Sequence, residues 1–170
     1  YVETLQDLIA ETAPKSPLFL AAMARNALNR TPPLGFFRTF VMEQDGKHNN
    51  SINLKRRGTA PMVDLVRIHA LACGSKAQNS FQRLNDIGNT QLLATGMSEK
   101  LSYAFEFLCM SRLRHQMIDL QEDRLPDNNI EPENVEDSER HTLKDAFQVL
   151  SNAQKFLKFR YPMPAQRQGR

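Results

Sequence analysis

Three polar side chains on one face of a long helical pattern could together bind an anion or transfer a proton. Arg112, His115 and Asp119 follow one another at intervals of three and four residues, so in an α-helix they form a single stripe. The planar guanidinium of Arg112 suits phosphate and carboxylate groups, because it can donate two parallel hydrogen bonds to them. His115 could act as a general acid–base, although no nucleophile or metal-ligand set accompanies it. The alternative is that the stripe simply emerges into solvent at the end of a helix bundle.

Five further charged residues lie before or inside a second helical pattern. Lys55, Arg56 and Arg57 form a cationic run just before it, and Asp64 and Arg67 lie within it, three residues apart. That spacing allows an ion pair on one helix face. A solvated basic loop and a structural Asp64–Arg67 pair are the simpler interpretations. If both sets of charges converge, they form a cleft for a nucleotide phosphate or for an acidic segment of a target protein.

The stripe with His115 belongs to a helix predicted over 98–122, around which we expect the rest of the chain to pack. Ser98 is a candidate N-cap. One face of this helix begins with apolar side chains, namely Leu101, Phe105 and Leu108. A second apolar stripe consists of Met110, Leu113, Met117 and Leu120. A helix that is apolar on two sides is predicted to be central and packed by neighbours on both.

The other elements are predicted from helical periodicity and from Pro and Gly punctuation. The further helices are expected over about 1–13, 16–30, 59–72, 76–87 and 136–161. Segment 34–58 is irregular and hairpin-like, with 52–54 pairing back on an extended stretch before it. The sequence thus predicts an all-α bundle of about six helices, as one domain over 1–161 with a flexible tail at 162–170. Because the chain begins at Tyr1 inside a helical pattern, we expect it to be the C-terminal fragment of a longer protein.

Composition narrows the function further. The 170 residues carry a net charge of +3, which suits a phosphate-bearing small ligand without requiring nucleic acid. The lack of Trp argues against a base-stacking surface. No apolar run is long enough for a membrane span, and Cys73 and Cys109 are interpreted as free thiols, so we expect a cytoplasmic protein without membrane contact.

No catalytic motif is complete in the chain. The four His residues lack metal-ligand spacing, and no Gly-rich phosphate loop is present. Gly74-Ser75 followed by Asp86 imitates the metal-binding spacing of polymerase-β-type nucleotidyltransferases, but Gly88 stands where the second carboxylate belongs. We therefore expect no catalysis, metal or cofactor in this chain alone.

Four stretches of the chain resemble one protein family. They read NLKRRGTAPMVDLVRIHAL, NSFQRL, AFEFLCMSRLRHQ and ERHTLKDAF, and together they span about 33–156. The chain is similar to the nucleotidyltransferase substrate-binding domain of bacterial proteins that also contain a cyclic-nucleotide-binding domain, a CBS pair and a nucleotidyltransferase domain. The matching positions are Leu54, Lys55, Arg56, Gly58, Pro61, Val63, Asp64, Arg67, Asn79, Arg83, Leu84, Arg112, Arg114, His115 and Gln116. Asn53 departs from the Asp expected there.

The resemblance implies an accessory domain that binds a nucleotide or an acceptor protein for an adjacent nucleotidyltransferase domain in signal transduction. That parent enzyme, similar to those modifying PII protein and glutamine synthetase, would use Mg²⁺ and a nucleoside triphosphate. The predicted substrate-binding residues are Lys55, Arg56, Arg57, Asp64, Arg67, Arg112, His115 and Asp119. The alternative is a non-catalytic interaction or dimerisation bundle that relays signals from upstream sensor domains, with a homodimer as one form.

Overall fold

The computed structural model describes residues 1–35, 39–43 and 50–162. Within these ranges the α-helices are α1 (Val2–Thr12), α2 (Pro17–Ala27), α3 (Ala60–Ala72), α4 (Ser80–Gly88), α5 (Met97–Gln121) and α6 (Asp137–Arg160). Two 3₁₀ turns (Ala13–Lys15 and Pro132–Asn134) and a π-helical turn (Lys55–Thr59) join them. The predicted all-α bundle is confirmed. None of the helices in the described ranges has the length and apolarity needed to cross a membrane.

Capping chemistry decides where two of the helices begin. Asn79 caps α4, because its Oδ1 accepts the backbone N–H of Phe81 at 2.8 Å. The helix therefore starts at Ser80, four residues later than the predicted start at 76. Before α5, Gly96 adopts a left-handed conformation at φ 77°, and it takes the N-cap position predicted for Ser98. Ser98 lies inside the helix and donates to the Glu99 carboxylate at 3.1 Å.

The core lies between α3, α5 and α6, with α2 and α4 closing its sides. Its largest fully buried side chains include Leu65, Leu101, Leu108, Leu143 and Phe147. The first apolar face predicted for α5 is thus in the core.

The second apolar stripe of α5 is not in the core, so the prediction that this helix is packed on both sides is wrong. Met110, Leu113, Met117 and Leu120 are 48–62% exposed. We call these four residues the exposed α5 stripe. On the opposite face, Leu101 and Leu108 are fully buried. Apolar periodicity identifies a face that can be buried, but burial also needs another element to cover it.

The irregular segment pairs with a different partner from the one predicted. Strand β1 (Ile52–Asn53) forms an antiparallel ribbon with β2 (Asn129–Ile130), in the loop after α5. Two isolated antiparallel bridges, Leu34 with Phe40 and Glu43 with Ser51, give the segment part of its predicted hairpin character. Residues 36–38 and 44–49 lie outside the described residues, as does most of the predicted tail, 163–170.

Candidate functional site

The cationic run forms a π-helical turn instead of a loop. The Asn53 side chain stabilises its start, because Oδ1 accepts the backbone N–H of Arg56 at 2.8 Å. An Asp oxygen would accept the same hydrogen bond, so the departure at position 53 leaves this role intact. At Gly58, an added Cβ would lie 3.3 Å from Phe147 Cε1 and 3.4 Å from Leu108 Cδ2. Glycine therefore lets the turn approach the core closely.

Arg112 lies beside the end of this turn. Its Nη1 donates to Thr59 Oγ1 at 3.4 Å, and Thr59 is buried. The Nε atoms of Arg112 and Arg57 are both buried and lack a hydrogen-bond partner in the described structure. Arg56 forms an ion pair with Glu43, and Lys55 is exposed. The structure thus packs the turn that carries three of the predicted cations against the part of α5 that carries Arg112.

His115 and its neighbours surround a carboxylate that the sequence reasoning missed. Glu139, in the first turn of α6, accepts hydrogen bonds from Ser111 Oγ at 2.6 Å and from Arg114 Nη1 at 3.2 Å. His115 Nε2 lies 3.6 Å from Glu139 Oε1, too far for a hydrogen bond, and it is buried without a hydrogen-bond partner among the described residues. Glu139 lies within the ERHTLKDAF stretch of the family resemblance, which was the available signal.

Asp119, the last member of the predicted stripe, organises the loop after α5. Arg124 donates to Asp119 Oδ1 from Nη2 at 2.8 Å and from Nε at 3.1 Å. The backbone N–H of Asp127 lies 3.4 Å from Asp119 Oδ2. Asp119 therefore fixes the loop that carries β2, which is a positioning role next to the site.

A cavity of about 610 Å³ opens between the end of α5, this loop and the β ribbon. His115 and Asp119 line it, together with Ser51, Ile118, Glu122, Arg124, Asp127, Asn129, Ile130, Glu131 and Asn134. Carboxylates outnumber cations on its wall. The cavity itself therefore suits a group that donates hydrogen bonds better than it suits a phosphate, which mainly accepts them.

Asp64 and Arg67 form the ion pair that their spacing predicted. Arg67 Nη1 lies 3.1 Å from Asp64 Oδ1, and Arg30 Nη1 lies 3.8 Å from Asp64 Oδ2. In the described ranges, no hydrogen bond or ion pair connects this group with Arg112 or His115. A single site that contains all eight predicted residues stays a prediction.

The structure is a helical bundle in which α3, the turn before it and the C-terminal half of α5 carry the cationic and acidic groups described above. A family model described as "Putative nucleotidyltransferase substrate binding domain" matches residues 17–161. The chain belongs to this family, which confirms the resemblance drawn from its motifs. The family description associates the domain with nucleotidyltransferases. No curated protein and no solved structure matches the chain.

Proposed function

We propose that this domain binds a substrate of an adjacent nucleotidyltransferase domain through the cationic junction, which we define as Lys55, Arg56, Arg57, Arg112 and His115. One observation carries the proposal. Four buried side-chain nitrogens lack a hydrogen-bond partner in the described residues, and three of them belong to Arg57, Arg112 and His115. These three side chains come from the π turn and from the part of α5 beside it.

Buried donors without an acceptor destabilise a folded protein. A buried polar group without a partner costs about 1–3 kcal/mol, and more if it is charged. Arg57, Arg112 and His115 are each partly exposed, so the same side chains that carry buried donors also reach the surface. A phosphate or carboxylate at the junction would give them acceptors, and hydrogen bonds between charged groups are the stronger kind.

The two neighbouring environments suit two parts of a transfer reaction. The cationic junction suits the anionic group of a nucleotide or of an acidic acceptor protein. The cavity suits an acceptor protein that presents hydrogen-bond donors. Catalytic Mg²⁺ and the transfer step would belong to the nucleotidyltransferase domain. On the motif resemblance, we place the parent protein in bacterial cytoplasmic signalling, with cyclic-nucleotide-binding and CBS domains as its sensors.

Thermal unfolding with ATP, UTP, CTP, GTP, cyclic nucleotides and inorganic phosphate tests the proposal. A ligand at a hundredfold excess over its Kd stabilises by about 2.7 kcal/mol, and this corresponds to a rise in Tm of roughly 5–10 °C. We expect such a rise with at least one nucleotide. The rise should be markedly smaller in Arg112→Ala and unchanged in Arg25→Ala, because Arg25 is exposed on α2 and lies outside the junction.

A nucleotide that stabilises Arg112→Ala as much as it stabilises the unsubstituted domain would contradict the assignment of the junction. No shift with any of the ligands would contradict nucleotide binding by this domain on its own.

The exposed α5 stripe supports a second candidate function, that of a dimerisation bundle. Its residues repeat at spacings of three and four, as in the seam of paired helices. With Tyr103, which is 69% exposed, the stripe presents five large apolar side chains on one face of α5, where a standard interface needs roughly 800 Å² from each partner. An antiparallel pairing centred on Met110 would place Glu106 of each copy opposite Arg114 of the other. We therefore propose a second copy of this chain as the occupant.

A further inference from the structure

Two arginines from different elements lie at one carboxylate, and a third arginine on α4 lies near one of them. Arg30 follows α2, Arg67 lies on α3 and Arg83 lies on α4. Asp64 lies 3.1 Å from Arg67 Nη1 and 3.8 Å from Arg30 Nη1. Burial lowers the pKa of Arg83, and the nearby charge of Arg67 lowers it further. We call Arg30, Arg67 and Arg83 the three-arginine cluster.

The backbone holds two members of the cluster in place. Gln154, which is 5% exposed, donates from Nε2 to the Arg30 carbonyl oxygen at 2.7 Å. Arg83 Nε donates to the Ala77 carbonyl oxygen at 2.8 Å, and this fixes the guanidinium while leaving its Nη atoms free of hydrogen bonds in the described structure. The backbone of Arg30 and the guanidinium group of Arg83 are therefore held in position before any ligand arrives.

The charges of the cluster are not balanced. Within the described ranges, Asp64 is the carboxylate that pairs with Arg30 and Arg67, and Arg83 forms no ion pair. Arginine keeps its charge at physiological pH, so the cluster and Asp64 together carry three positive charges and one negative charge. The repulsion between Arg67 and Arg83 is relieved most by an anion with two charges and several acceptor oxygens.

We propose that the three-arginine cluster is a second anion site, which takes a phosphate group. Arg67 lies eight residues beyond Thr59, the contact of Arg112, which is about 12 Å along the axis of α3. The second site is therefore distinct from the cationic junction and does not depend on the proposed function. Inorganic phosphate and the phosphate groups of a nucleotide both fit the site, since they present the same oxygens.

Arginine side-chain N–H signals in NMR spectra report on this site directly. We expect inorganic phosphate, added at constant ionic strength against chloride, to shift the Nε–H signals of Arg67 and Arg83 but not that of Arg25. ATP in a parallel titration separates the two sources. Tighter binding of ATP identifies a nucleotide phosphate, and equal or weaker binding identifies free phosphate. No shift of Arg67 or Arg83 with either probe overturns the proposal.

Substitution of the carboxylate provides a test in which binding should improve. Asp64→Asn removes the charge that competes with phosphate, so phosphate affinity should rise roughly two- to fivefold, the range expected for one exposed charge pair. Arg83→Gln should lower the affinity by at least as much, and Arg25→Ala should leave it unchanged. A cluster that serves only the fold would show no gain in Asp64→Asn.

The experiments can overturn the proposal for the second site and the proposal for the junction separately. Phosphate binding that is lost in Arg112→Ala and kept in Arg83→Gln would overturn the second site while supporting the junction. If Asp64→Asn does not fold, the titration of the parent and of Arg83→Gln still decides the proposal.

Discussion

His69 is the most deeply buried titratable side chain of α3. It is fully buried, its ring stacks on Phe156 with centroids 6.1 Å apart, and its Nδ1 lies 3.2 Å from the Tyr161 hydroxyl. Burial, and to a smaller extent the charge of Arg160, lower the pKa of His69 to about 4. The imidazole is therefore neutral in the folded protein at physiological pH, and it anchors the end of α6 to α3.

This depressed pKa predicts a stability loss in mild acid. The unfolded chain binds a proton at His69 near pH 6.5, whereas the folded chain resists it until about pH 4, so the free energy of unfolding falls as the pH drops through this window. The loss should be on the order of 3 kcal/mol, and urea unfolding at several pH values measures it. His69→Phe should abolish most of the pH dependence of the free energy of unfolding in this window. His141→Gln, at an exposed position, should keep it. An unchanged slope in His69→Phe would assign the effect to other groups.

Ser75 and Asp86 form a structural contact, although their spacing imitates a nucleotidyltransferase motif. Ser75 Oγ donates to Asp86 Oδ2 at 2.5 Å, so the loop after α3 is tied to α4. Gly88 lies at the end of that helix and supplies no second carboxylate. The geometry therefore agrees with reading this spacing as a coincidence.

At the scale of elements, two left-handed glycines set where helices end and begin. Gly74 follows α3 at φ 69°, and Gly96 precedes α5 at φ 77°. Their surroundings differ. An added Cβ at Gly74 would lie 2.8 Å from the Ala10 carbonyl oxygen of α1, whereas no atom of the described residues lies within 4 Å of one at Gly96. Gly74 thus allows α1 to approach the turn after α3.

Alanine at the two positions should separate backbone strain from steric conflict. Gly96→Ala should cost about 1 kcal/mol, the typical penalty for a left-handed alanine. Gly74→Ala should cost about 2–4 kcal/mol, because the steric conflict with α1 adds to the same penalty. Chemical denaturation measures both losses, and limited proteolysis of Gly74→Ala should cut first within α1. Equal losses of stability in the two variants would show that α1 moves away from the added methyl group at no cost in stability.

For the whole molecule, the one-sided burial of α5 leads to a prediction about assembly. Met117→Glu places a charge on the exposed α5 stripe, where it should leave the Tm nearly unchanged in dilute protein, because Met117 is 60% exposed. If two copies pair through this stripe, light scattering after size-exclusion chromatography should show a dimer for the parent and a monomer for Met117→Glu. Gln82→Glu, which adds the same charge at an exposed position on α4, should remain dimeric. If the unsubstituted domain is monomeric at high concentration, the proposed dimerisation function is contradicted.

Most helices were predictable, because periodicity and capping act locally. The range predicted for α3 agrees closely with Ala60–Ala72, since Pro61 lies in its first turn and Cys73-Gly74 follows its end. The start of α4 was predicted less well, because the Asn79 cap outweighs the helical pattern before it. In the candidate site, the Asp64–Arg67 pair followed from a spacing of three residues. Glu139 could not be found from spacing, because it is 24 residues from His115.

By itself, the sequence determined the helical class, the family and the local ion pair, since each depends on residues that are close in the chain or on a linear motif. Only the tertiary structure decided which face of α5 is covered, that β1 pairs with β2, and that Arg30 joins Arg67 at Asp64. The physical reason is common to all three. Contacts between distant segments depend on how helices pack around a shared core, and many packings satisfy the same apolar pattern.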